Sequence, residues 1–112
     1  MSDEVTSEER LQEIFVALGS VKRLLILRLL AEAVTGRTRS LAAGLTISEV
    51  ATAVEITRFA ASHHLKILRA AGVVKATRDR QSLRHELEIN TFLSIDEWLL
   101  PLLQSVETQV ER

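Results

Sequence analysis

Between Thr57 and Gly72 the chain reads T-R-F-A-A-S-H-H-L-K-I-L-R-A-A-G, and side chains able to do chemistry recur in it at helical intervals. Phe59, Ser62, His63 and Lys66 stand at i, i+3, i+4 and i+7 on one face, with Arg58 and Arg69 beside them. That face offers an aromatic ring, a hydroxyl, an imidazole and fixed positive charge. A helix side that needs only solubility rarely combines these, whereas a helix lying in the major groove of duplex DNA often does. Arg58 suits a bidentate bond to guanine O6 and N7, worth roughly 1–3 kcal/mol of discrimination. Ser62 and His63 can donate or accept at base edges or phosphate. Phe59 can touch a thymine methyl or pack over Ile47 and the preceding turn; the sequence leaves both open. The opposite face, Ala61, His64, Leu65, Leu68 and Ala71, is a small apolar seam in which His64 reads as a hydrogen-bonded structural residue. Thr57 can cap the start of this helix and Gly72 its end.

Catalysis finds little support in the same residues. Ser62, His63 and His64 are consecutive, so on a helix they diverge by about 100° per step, and no carboxylate is placed to orient an imidazole. The chain has no cysteine, and its histidines are His63, His64 and His85. Neighbouring helical histidines cannot chelate one ion together, and a borderline metal such as zinc needs nitrogen or sulfur donors that this sequence does not gather. No catalytic residue, metal ligand or cofactor is therefore assigned.

The elements that must hold this helix follow from composition and pattern. A length of 112 residues fits a single domain over 1–112, and 46% hydrophobic residues with only 4% aromatics calls for an aliphatic, mainly helical core. The net charge of −1 conceals segregation. Residues 57–84 hold Arg58, Lys66, Arg69, Lys75, Arg78, Arg80 and Arg84 against Asp79, while residues 1–20 and 85–112 are both acidic. One basic stretch between acidic ends points to a local polyanion site. The N-terminus, M-S-D-E-V-T-S-E-E, is unlike a targeting peptide, and the apolar run Leu24–Leu30 is interrupted by Arg28 and too short to span a membrane. The expectation is a cytoplasmic protein with no membrane partner.

Thr6-Ser-Glu-Glu9 is a capping box opening a first helix with Leu11, Ile14, Phe15 and Leu18 on one stripe, closed by Gly19. Ser20 caps a second, V-K-R-L-L-I-L-R-L-L-A-E-A, apolar on most sides and so the central buried helix. Residues 34–45 form a long connection whose Arg37 and Arg39 face water or a phosphate backbone. Thr46-Ile-Ser-Glu49 is a second capping box, and its short helix is joined to Thr57 by a tight turn, making a helix-turn-helix. Val73–Thr77 and the alternating Leu83, His85, Leu87 and Ile89 form an antiparallel hairpin, a wing, with Arg78, Arg80 and Arg84 near its tip and His85 inward. The tip lacks glycine, which argues against a two-residue type I′ turn. Ser94-Ile-Asp-Glu97 is a third capping box, with Leu93 and Trp98 at staple spacing. It opens a last helix carrying Ile95, Trp98, Leu99, Leu102, Leu103, Val106 and Val110, kinked at Pro101. That stripe and the first helix exceed what one small domain can cover, so 1–20 and 91–112 are the expected homodimer interface, through Leu11, Ile14, Phe15, Leu18, Ile95, Trp98, Leu99, Leu102, Leu103 and Val106.

This order of about five helices and a two-stranded wing is that of a winged helix-turn-helix. Over roughly residues 11–104 the chain resembles the ArsR/SmtB family of bacterial transcriptional repressors, through L-G-S-V-K-R-L-L-I-L-R-L-L, I-S-E-V-A and above all S-H-H-L-K-I-L-R-A-A-G-V-V, Ser62 to Val74. The resemblance implies a homodimer paired through first and last helices, binding a pseudo-palindromic operator on double-stranded DNA until an effector, here unknown but open to a small molecule, releases it. Thr57, Arg58, Phe59, Ser62, His63, Lys66, Arg69, Arg78, Arg80 and Arg84 are then the DNA-binding set, the last five mainly neutralising phosphates. Lack of cysteine departs from the thiophilic metal sensors of that family, and Glu55 stands where its turn often carries glycine. The alternative is a winged-helix interaction module that uses the basic face on an acidic protein partner.

Overall fold

Among the described residues, every helix after the first starts where a side chain satisfies an otherwise unpaired amide. The structure, a computed structural model, describes residues 7–35 and 44–110. It consists of α1 (Ser7–Leu18), α2 (Val21–Thr35), α3 (Ile47–Ala53), α4 (Arg58–Ala70), β1 (Val74–Asp79), β2 (Ser82–Leu87) and α5 (Ile89–Val110). Thr6 of the first capping box, together with Arg37 and Arg39, lies outside the described residues, as does the side chain of Val110. Ser20 Oγ accepts from the Arg23 amide at 3.3 Å before α2. The Thr46–Glu49 box is complete: Thr46 Oγ1 accepts from Glu49 N at 3.2 Å, and Glu49 Oε1 accepts from Thr46 N at 2.9 Å. Thr57 Oγ1 accepts from Ala60 N at 3.0 Å.

α3 and α4 end in the same way. After α4, Val73 N–H donates to Leu68 O and Gly72 N–H to Arg69 O, with Gly72 at φ 79°. After α3, Ile56 N–H donates to Ala51 O and Glu55 N–H to Thr52 O, with Glu55 at φ 58°. Both are Schellman caps. In the helix-turn-helix, then, a glutamate holds a left-handed conformation that suits glycine, at a cost of about 1 kcal/mol.

The core joins Ile26, Leu27 and Leu30 of α2, Val50 and Ala51 of α3, Ala61, Leu65 and Leu68 of α4, and Val73 and Val74 leading into β1. α2 is central but not enclosed: Val21, Leu24, Leu25 and Val34 remain exposed, because one small chain has too few elements to wrap a helix that is apolar on most sides.

The hairpin pairs antiparallel from Val74↔Leu87 to Asp79↔Ser82, leaving Arg80 and Gln81 as a two-residue loop. Only Arg80, at φ 62°, has positive φ. The turn therefore follows the sign pattern of type II′ and not type I′, which requires positive φ at both central positions. α5 starts six residues before the position expected from a cap at Ser94. Glu88 Oε2 accepts from Asn90 N at 3.2 Å and so serves as its cap, and Thr91 Oγ1 donates to Gly72 O at 2.6 Å. Ser94 instead bonds back to Asn90 O at 3.2 Å from inside the helix, so the third capping box does not form. Ile89, expected to face inward on the strand, is exposed in the first turn of α5, and the helix continues through Pro101.

Two residues of the expected dimer stripe are corrected. Leu11 and Ile14 are 6% and 1% exposed within the single chain, because α1 turns them toward the molecule's own interior. Leu18 and Ile95 are partly covered. Phe15, Trp98, Leu99, Leu102, Leu103 and Val106 do stay exposed, joined by Val16, Leu93 and Leu100. Phe15 meets Trp98 edge to face, with ring centroids 6.1 Å apart, an arrangement that ties α1 to α5.

The two caps predict opposite responses. Glu55→Gly relieves a strained side chain and raises unfolding free energy by about 0.5–1 kcal/mol in urea titration, whereas Gly72→Ala lowers it by about 1 kcal/mol or more.

Candidate nucleic-acid interface

α4 divides cleanly along its length. Ala61, Leu65 and Leu68 are fully buried, while Thr57, Arg58, Phe59, Ser62, His63 and Lys66 are exposed. Phe59 is 86% exposed, so of its two readings the packing over Ile47 is not the one adopted. An apolar ring held in water on the outer face of a capped helix is available for a partner.

Polar clamps fix how α4 sits. Arg23 on α2 donates through Nε to Ala17 O and through Nη1 to His64 Nδ1, 3.2 Å away. A guanidinium can only donate, so Nδ1 accepts and the ring proton lies on Nε2. Burial, with Arg23 and His63 adding positive charge nearby, pushes the His64 pKa below its usual value. At the other end, His85 on β2 is completely buried. Leu45 O accepts from its Nδ1 at 3.1 Å, and Arg69 Nη1 donates to its Nε2 at 3.3 Å. Burial dominates here too: it lowers the His85 pKa despite the Leu45 bond that favours the charged ring, and Arg69 lowers it further. Both histidines thus behave as the hydrogen-bonded structural residues expected. Lys22 Nζ adds a bond to Val54 O, 3.1 Å away, at the C-terminus of α3, where positive charge suits the helix dipole.

The structure gives two of the expected phosphate contacts other tasks. Arg69 is partly covered and reaches inward to His85. Arg84 bonds to Asp79 Oδ2 at 3.1 Å and to Gly44 O at 3.0 Å and lies 3.7 Å from Glu49 Oε1. Its side chain braces the wing against α3. Sequence spacing could not reveal this, since the partners lie up to 40 residues away.

Arg78 and Arg80 stay exposed on the wing. Arg78 and Arg58, twenty positions apart, line one cleft of about 320 Å³ with Thr46, Ile47, Ser48, Gln81, Ser82 and Leu83. Ser48 and Gln81 were not singled out in the sequence; Gln81 becomes notable only once the hairpin register makes it half of the loop. Two cations, three hydroxyls and an amide around one groove suit hydrogen bonding to phosphate and base edges. Among the described residues no three His, Asp or Glu side chains gather as a metal site, and no helix is long and apolar enough to cross a membrane.

A sequence model of bacterial regulatory proteins of the arsR family matches residues 20–76, from α2 into the wing and more than half of the chain. The chain belongs to the arsR family. It is accordingly a winged helix-turn-helix transcriptional regulator, from a family of DNA-binding proteins and not of enzymes. No curated protein sequence matches it. The fold is shared with an ArsR-like transcriptional regulator from Rhodococcus sp., at TM-score 0.73 and 23% identity over 96% of this chain and 92% of that one. It is shared with HlyU from Vibrio cholerae, at TM-score 0.65 and 22% identity over 88% and 97%. A homodimeric winged helix-turn-helix DNA-binding domain from Mycobacterium bovis aligns at TM-score 0.63 and 22% identity over 97% and 92%.

The neutral histidines set a pH dependence for this arsR-family domain. Both folded-state pKa values lie below the 6.5 of the free side chain, so below that pH the unfolded chain binds more protons. Stability is full above pH 6.5 and falls as the pH drops through 6.5 toward the folded pKa values. Denaturant melts from about pH 8 to about pH 5 check this, and a His64→Gln/His85→Gln variant shows a flatter profile.

Proposed function

We propose that the chain binds duplex DNA sequence-specifically as a homodimer and represses transcription from a pseudo-palindromic operator. The outward face of α4 carries the reading. Arg58, Phe59, Ser62, His63 and Lys66 lie exposed on a helix whose other face is locked into the core, the arrangement a reading helix needs in the major groove. Thr57 starts that helix, and Arg58 with Ser62 and His63 meets base edges. Phe59 lies against a thymine methyl. Lys66, Arg78 and Arg80 neutralise phosphates, while Arg69 and Arg84 hold α4 and the wing in place.

Dimerisation is supported by the exposed apolar surface of Phe15 and Val16 on α1 and Trp98, Leu99, Leu102, Leu103 and Val106 on α5. Exposed apolar side chains gathered on two helices in this way suit an interface on a small protein, and the Mycobacterium bovis domain of the same fold is homodimeric. Two-fold pairing places two reading helices about one turn of DNA apart, roughly 34–36 Å or a multiple. With no cysteine in the chain, thiophilic metals are not the releasing signal. The protein acts in the cytoplasm.

Selection of bound fragments from a random duplex pool tests this reading and returns the site with its half-site spacing. On the selected duplex, Arg58→Ala relaxes preference at one base pair per half-site by roughly 1–3 kcal/mol. Arg80→Ala weakens all duplexes alike and reduces the slope of log affinity against log salt by about one. Leu103→Glu gives a monomer in sedimentation and loses the selected site. An acidic-protein partner in place of DNA would show as binding without duplex discrimination, and that result would falsify the regulator reading.

A further inference from the structure

Between α1 and the N-terminal half of α5 lies a cavity of about 480 Å³, within the usual range of small-molecule sites. Leu11 and Ile14 form a buried apolar floor, and the ring of Trp98 forms one wall. Asn90, Thr91 and Ser94 add amide and hydroxyl groups. Arg10 on α1 and Glu97 on α5 bring one full charge of each sign. Among the described residues neither of these two side chains has a hydrogen-bond or ion-pair partner. None of the lining comes from α3, α4 or the wing, so the DNA-reading surface makes no use of it.

The chemistry of this lining selects among ligands. A wholly apolar molecule would strip water from Arg10 and Glu97 without replacing it. A multiply charged anion would be repelled by Glu97. A net-neutral molecule with separated charges satisfies both, its carboxylate taking paired bonds from Arg10, its ammonium facing Glu97, and an apolar side group resting on Leu11, Ile14 and Trp98. The cavity also touches the end of the reading helix. Thr91 Oγ1 donates to Gly72 O at 2.6 Å, and Arg10 Nη2 lies 3.0 Å from where a β-carbon on Gly72 would sit. Gly72 forms the left-handed cap of α4.

We propose that this cavity binds a small zwitterion of the amino-acid class, and that a bound carboxylate, by drawing Arg10 away from Gly72, shifts the C-terminal cap of α4 and with it DNA affinity. The second half rests on the DNA-binding function proposed above; the first does not.

Trp98 is the sole tryptophan of the chain, so intrinsic fluorescence of the whole protein reports occupancy directly. The probes are the proteinogenic L-amino acids, each at up to millimolar concentration, with the decarboxylated amine and the deaminated acid of any that bind. The expected result is a saturable change with at least one amino acid and with neither of its truncated forms. Arg10→Gln and Glu97→Gln each weaken it about tenfold or more; both side chains are exposed, so the fold survives, as a thermal melt verifies. No saturable response to any amino acid, or equal binding of a truncated form, overturns the ligand class.

Transmission is read as the ratio of affinities for the selected duplex with and without saturating amino acid, expected to differ severalfold and to move toward one in Thr91→Val. A ratio of one in the native protein overturns transmission. If the native protein binds no duplex, the regulator reading fails while the fluorescence result still decides the ligand site.

Discussion

Burial of one face of α4 is the constraint on which the remainder depends. Ala61, Leu65 and Leu68 are removed from water entirely, against α2, α3 and the base of the wing. Each such leucine contributes roughly 1.5–3 kcal/mol, so rotation of the helix about its axis is prohibited by far more than thermal energy. The positions of Arg58, Phe59, Ser62, His63 and Lys66 are consequences of that lock: a helix has a fixed angular period, and fixing one side fixes the other.

Polar groups refine what burial sets. His64 and His85 are used as neutral acceptors facing arginine donors, an arrangement that works only while the rings are unprotonated. Arg23 thereby joins α1, α2 and α4, and the Arg69–His85–Leu45 chain joins α4, β2 and the segment before α3. Cations that seem in the sequence to belong to one basic surface are thus divided between two roles. Some are spent inside on positioning, and those left outside are Arg58, Lys66, Lys75, Arg78 and Arg80, which are exposed.

Much of the fold was legible because its signals are local. Ser20, Thr46 and Thr57 cap within four residues of themselves, Gly72 closes α4, and the period-two run around His85 is a strand. The misreadings are informative for the same reason. Ser94-Ile-Asp-Glu97 has the wording of a capping box, yet Thr91 is bonded to Gly72 nineteen residues earlier and Glu88 already caps the helix, so α5 runs straight through it. Leu11 and Ile14 share a stripe with Phe15, and only the packing of α1 against the rest of the chain decides which of them is covered.

The sequence alone determined the family of the fold and the face of α4 that lies outward, since helical periodicity, caps and the wording from Ser62 to Val74 are properties of neighbouring residues. Tertiary structure alone decided which arginines remain free, where the wing turns, and that Arg10 and Glu97 share one cavity. Those outcomes depend on contacts between residues tens of positions apart, and spacing along a chain carries no record of them until the core has closed.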